Sequence, residues 1–145
     1  MKKPPTPRPT DAELNILRVL WHRGDSTVRE VQEELEKVAP TGYTTVLKLL
    51  QIMTDKGLVA RDESHRAHVY RSADAQQTIQ RGLVADLLDR AFGGSAHQLV
   101  QHALASRPAS RDELAEIRKL LDAMEVGGAG DTASETSNET SGDDR

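Results

Sequence analysis

The chain has 145 residues, no cysteine and four aromatic side chains, Trp21, Tyr43, Tyr70 and Phe92, which points to one small domain plus an accessory element with an aliphatic core. The lack of cysteine excludes disulfides, thiolate metal sites and cysteine nucleophiles, and fits a reducing cytoplasm. The net charge of -4 divides unevenly: residues 1–72 hold twelve Lys/Arg against ten Asp/Glu, residues 73–125 six against eight, and residues 126–145 one against five, so acidity gathers at the end and the amino-terminal half is mildly basic.

Met1 to Pro9 is an aperiodic Pro/Lys/Arg arm. Its two lysines are followed by prolines rather than an apolar run, unlike a signal peptide. No stretch approaches the ~20 apolar residues that span a bilayer, so a soluble, cytoplasmic protein without membrane insertion is expected. Thr10-Asp11-Ala12-Glu13 has the form of a capping box. It opens a helix with Leu14, Leu17, Leu20 and Trp21 on one stripe, ending near Gly24. Ser26 or Thr27 caps a second helix that turns Val28, Val31 and Leu35 inward and Arg29, Glu33 and Glu36 outward, with Pro40 at or just beyond its end.

The segment from Thr41 to the glycine stop at Gly57 predicts a third helix with two unlike faces. Val46, Leu49, Leu50 and Met53 form one apolar stripe. Tyr43, Thr44, Thr45, Lys48 and Gln51 lie elsewhere and offer hydroxyls, an amide and one cation, with no carboxylate before Asp55. Such a face can enter a major groove, donating to phosphates and presenting Thr methyls and hydroxyls to base edges. Leu58-Val59-Ala60-Arg61 and His68-Val69-Tyr70-Arg71 then predict a β-hairpin around the polar turn from Asp62 to Arg66. Three helices and a hairpin are the order of a winged helix-turn-helix, with Arg61, His65, Arg66 and Arg71 of the wing near phosphates or the minor groove.

A long helix follows to Phe92, with Ile79, Leu83, Leu87 and, one ridge over, Val84 and Leu88 making an apolar face too broad for a lone exposed helix. Gly93-Gly94 stops it. Ser95 caps a short helix with Leu99, Val100, Ala103 and Leu104, and Ser110-Arg111-Asp112-Glu113 opens a last one with Leu114, Ile117, Leu120, Leu121 and Met124. These helices have too few residues for an independent core, and pairing with a second copy is the economical solution. The expected fold is mainly α with a small β-hairpin wing. It comprises a flexible basic/Pro arm over 1–9, a winged-helix DNA-binding domain over 10–72, a helical dimerisation domain over 73–125 and a disordered acidic tail over 126–145. Dimerisation is assigned to Ile79, Leu83, Leu87, Leu88, Leu114, Ile117 and Leu121.

Nothing supports an enzyme. His65 and His68 share no helix face, and a lone pair of ligands is not a zinc site. His97 and His102 do not align either, Asp86 and Asp89 read as a solvated helix face, and no phosphate-cradling or nucleophile-elbow motif occurs. No metal and no cofactor are expected.

The chain resembles the penicillinase-repressor family, the BlaI/MecI group of bacterial regulators. The resemblance rests on Glu13-Leu14-Asn15-Ile16-Leu17 with Leu20-Trp21, on Val28-Arg29-Glu30-Val31, Tyr43-Thr44-Thr45-Val46, Lys56-Gly57-Leu58-Val59 and His68-Val69-Tyr70, on Phe92-Gly93-Gly94-Ser95 with Leu99-Val100, and on Glu113-Leu114 to Leu120-Leu121. It covers residues 10 to 125. It implies a homodimeric repressor whose winged helix binds a dyad operator, often upstream of a β-lactamase gene and of a membrane metalloprotease sensor. Activation of that sensor leads to cleavage within the dimerisation domain. The cleaved Asn-Phe bond of the staphylococcal members corresponds to His102-Ala103 here. The carboxy-terminal Cys motifs of the copper-responsive branch are lacking. Two other readings fit the same residues: a winged-helix regulator controlled by a small effector, and a winged-helix module that docks on another protein.

Overall fold

Two reciprocal capping boxes set where the first helices begin. The Glu13 N–H donates to Thr10 Oγ1 at 3.2 Å and the Thr10 N–H donates to the Glu13 carboxylate at 2.9 Å. Thr27 and Glu30 repeat the exchange at 3.2 and 3.0 Å. Each box satisfies two donors that a helix start leaves open. In this computed structural model, which describes residues 8–128, α1 spans Asp11–Arg23, α2 Val28–Glu36 and α3 Tyr43–Lys56. Gly24 and Gly57 close α1 and α3 with φ of +96° and +81°, a region where a Cβ is disfavoured.

The expected hairpin is present as β2 (Val59–Asp62) and β3 (Val69–Ser72), with Arg61 opposite Tyr70 and Val59 opposite Ser72. It is not alone. A two-residue strand, β1 (Ser26–Thr27), pairs antiparallel with the other edge of β3, giving a three-stranded sheet in the order β1-β3-β2. The residues expected to do no more than cap α2 therefore also pin the wing to the helices.

One aliphatic core joins these elements: Ile16, Leu17 and Leu20 of α1, Val28 and Val31 of α2, Val46, Leu50 and Met53 of α3, then Leu58, Val59, Tyr70 and Ile79. Each such side chain contributes about 1.5–3 kcal/mol on burial. Leu14, expected on the inward stripe of α1, is half-buried, and Ile16 takes the deeper position. The Trp21 indole N–H donates to Ser72 Oγ at 3.1 Å, tying α1 to the end of the wing.

Helix α4 (Gln76–Phe92) belongs to this first compact unit, which extends to Gly94. The division therefore falls beyond the boundary expected after residue 72. The reason is local: Ile79 is 7% exposed within the core and Leu83 packs against it. Arg8 forms an ion pair with Asp86 of α4. The rest of the expected flexible arm, residues 1–7, lies outside the described residues.

The second unit begins at Ser95 and holds α5 (Ala96–Ser106) and α6 (Arg111–Gly128). Ser95 and Ser110 cap them through the Gln98 and Glu113 N–H groups, at 3.2 and 3.1 Å. Neither helix has a buried residue among those described, and Val100, Leu104, Leu120, Leu121 and Met124 are exposed. Helix α6 continues three residues past the expected start of the tail, and the tail from 129 onward lies outside the described residues.

Glu13 is the one carboxylate in the core, 1% exposed. Burial raises its pKa, but the Thr10 backbone hydrogen bond and the Lys56 ammonium outweigh that, and the net shift is downward. A depressed carboxylate stabilises the folded state above its unfolded pKa, near 4.5, and this contribution disappears as pH falls through the folded value. Glu13→Gln is therefore expected to melt below the unmodified protein at pH 7 and to converge with it as pH drops below that range. Thermal denaturation from pH 7 to 3 measures this, and a gap that stays constant would contradict it.

Candidate nucleic-acid interface

Helix α3 has the two faces expected of it. Val46, Leu50 and Met53 are fully buried and Leu49 is half-buried, while Tyr43, Thr44, Thr45, Lys48 and Gln51 are all exposed. The buried face packs the helix against α1 and α2 and leaves the other face to solvent. Gly42 supplies the N-cap without a side-chain hydrogen bond. The first-turn N–H groups thus carry no side-chain acceptor.

The turn before α3 is tied by Gln32 and Glu36, which carry no signal of that role in their sequence neighbourhood. The Gln32 amide donates to Glu36 Oε2 at 2.9 Å and to the Thr41 carbonyl at 3.0 Å. The Thr41 N–H donates to the same Glu36 oxygen at 3.2 Å, and its hydroxyl to the Ala39 carbonyl at 2.9 Å. Gln32 and Glu36 stand at i and i+4 on α2, a spacing common on solvated helices, so only the fold reveals that they hold the next turn.

The wing offers its cations unequally. Arg61 faces the same side of the sheet as buried Tyr70, and its guanidinium pairs with Glu63 at 2.6 Å. The hydrogen bond to Tyr70, and after it the Glu63 charge, push its pKa further up. Arg61 is thus engaged within the wing itself. Arg66, His65 and Arg71 are exposed. The Ser64 N–H donates to Asp62 Oδ1 at 2.9 Å and shapes the wing tip, and the Ser64 hydroxyl, followed by this N–H, lowers the Asp62 pKa.

The residues expected to carry dimerisation divide into two groups. Ile79 is taken up in the core, and Leu83 is half-buried against it. Leu87 and Leu121 are exposed, and Leu88, Leu114 and Ile117 are half-buried. His102 and Ala103 lie on the exposed middle of α5, where the His102 carbonyl accepts from Ser106 Oγ at 2.7 Å. Among the described residues no group of three His, Cys, Asp or Glu side chains could hold a metal ion. No described helix is long and apolar enough to cross a membrane.

Residues 9–123 match the penicillinase repressor family. The chain is 31% identical over 118 residues to the transcriptional regulator BlaI of Mycobacterium tuberculosis, covering 81% of this chain and 85% of that protein. It is 25% identical over 122 residues to the penicillinase repressor of Bacillus licheniformis, covering 84% and 94%. The solution structure of the Bacillus licheniformis BlaI monomeric form in complex with the blaP half-operator aligns with a TM-score of 0.45 at 28% identity, over 53% of this chain and 92% of that one. The chain belongs to the penicillinase repressor family, and it is a DNA-binding transcriptional repressor of the BlaI/MecI type rather than an enzyme.

Proposed function

We propose that the protein binds a dyad operator as a cytoplasmic homodimer, without cofactor, and is released through a membrane-sensor protease pathway responding to β-lactams or related stress. The observation that carries the DNA reading is the α3 face of Tyr43, Thr44, Thr45, Lys48 and Gln51, exposed and without a carboxylate before Asp55, on a helix whose other side is buried in the core. Thr44, Thr45 and Gln51 would meet base edges, while Tyr43 and Lys48 would meet phosphates. Arg66 brings wing charge to the backbone, and Arg61 joins it where a phosphate displaces Glu63. The dimer reading rests on the exposed apolar sides of α5 and α6, which find no core within their own unit. Marginal helices of this length need such packing. Leu87, Leu88, Leu114, Ile117 and Leu121 are assigned to the contact between copies. Cutting α5 at or near His102-Ala103 would remove that contact, and with it the linked second half-site.

Lys48→Ala tests the groove contact. It is expected to leave the melting temperature unchanged and to lower operator affinity. The slope of log K against log salt should flatten by about 0.9, the value for one phosphate on duplex DNA. Mobility shifts at several salt concentrations measure this. An unchanged slope together with lost sequence preference would place Lys48 on a base, and unchanged affinity would remove it from the interface.

A further inference from the structure

We propose that the half-buried Glu13–Lys56 ion pair is a positioning device that sets how the exposed face of α3 meets the operator; the proposal rests on the DNA-binding reading above. Lys56 lies in the last turn of α3 and reaches both Glu13 carboxylate oxygens, at 3.1 and 2.9 Å. Glu13 is in turn held at the start of α1 by the Thr10 N–H. The carboxylate thus accepts three hydrogen bonds, two from the Lys56 ammonium and one from the Thr10 N–H, which anchors it at the start of α1. The lysine, with its side chain 33% exposed, could satisfy its charge in water.

The rest of α3 leaves a gap that this pair fills. The apolar contacts of Val46, Leu50 and Met53 are non-directional and tolerate a small roll or slide about the helix axis. At the amino-terminal end Gln32 and Glu36 hold Thr41 in the preceding turn, and α3 itself has no side-chain cap. Among the described residues, the two Lys56 hydrogen bonds tie the carboxy-terminal end of α3 directionally to α1. A pair of this kind contributes little net stability, because desolvating both charges offsets their attraction, whereas stranding one of them is costly. Its distinctive product is geometry. Base-edge hydrogen bonds from Thr44, Thr45 and Gln51 depend on that geometry, while nonspecific attraction to phosphate does not.

The test removes both charges together, so that neither is stranded, and reads specificity rather than folding. The full chain carrying Glu13→Gln and Lys56→Met is compared with the unmodified chain on an operator duplex and on a scrambled duplex, with circular dichroism confirming that both are folded at the assay temperature. The expected result is about tenfold weaker operator binding, on the scale of one mismatched base pair. Binding to the scrambled duplex and the salt slope should be unchanged, and Lys56→Arg alone should restore operator binding to within about twofold, since it keeps the cation and the pairing geometry. Unaltered operator affinity in the folded double variant would overturn the proposal. So would a flatter salt slope, which would mean that Lys56 itself touches a phosphate. Failure of the unmodified chain to distinguish the two duplexes would instead overturn the DNA-binding reading, and this proposal with it.

Discussion

Leu121→Asp is expected to convert the protein into a folded monomer that has lost tight operator binding. Leu121 is 54% exposed on α6 beside exposed Leu120 and Met124, so an aspartate there creates no cavity in the single chain. At a dimer contact the same carboxylate would be buried without a partner, at a cost of several kcal/mol. Each monomer then engages one half-site, and the effective-concentration advantage of the linked second half-site disappears. Apparent operator affinity should fall by about a hundredfold or more. Leu87→Asp, on the outer side of α4, asks the same question of the first unit. Sedimentation equilibrium and mobility shifts on the same samples give the answer. A Leu121→Asp protein that remains dimeric and binds normally would place the contact elsewhere.

The second large effect lies on the hidden side of α3. Leu50 has no exposed surface, and Leu→Ala at such a site costs about 2–5 kcal/mol through lost burial and the cavity left behind. Against a total stability of about 5–15 kcal/mol, that is a large fraction. Leu50→Ala should lower the melting temperature by about ten degrees or more. Trp21, hydrogen-bonded to Ser72, is the natural fluorescence reporter. The contrast with Lys48→Ala makes the experiment specific: one face of the helix should govern folding, and the other operator affinity. Equal melting temperatures for the two variants would mean that α3 is not divided in this way.

Much of this was legible in the residues because it depends on neighbours in sequence. Thr10 with Glu13, a cap at Ser26 or Thr27, and the stops at Gly24, Gly57 and Gly93 are local signals; Thr27 takes the second cap, and the helices begin and end beside these residues. The period of Val46, Leu50 and Met53 likewise separated the two faces of α3. What could not be read depends on contacts distant in the chain. Ser26 and Thr27 form a strand only because β3 lies beside them, and two residues carry no alternation to detect. Glu13 has the appearance of an ordinary solvated capping residue until Lys56, 43 positions later, reaches it. For Arg61 the sequence shows a wing cation, whereas its place across from Tyr70 and its ion pair with Glu63 depend on how the hairpin folds. Ile79 lies on an apolar helix face that suits either a core or a partner, and periodicity does not separate those two fates.

The most direct test of the account titrates the full chain against a duplex carrying the inverted repeat from its own promoter and counts the chains bound per duplex. Two chains per repeat are predicted, with binding that weakens steeply when either half-site is scrambled and when Thr44 and Thr45 are both replaced by alanine. One chain per duplex, or equal binding to a sequence with both half-sites destroyed, would contradict it.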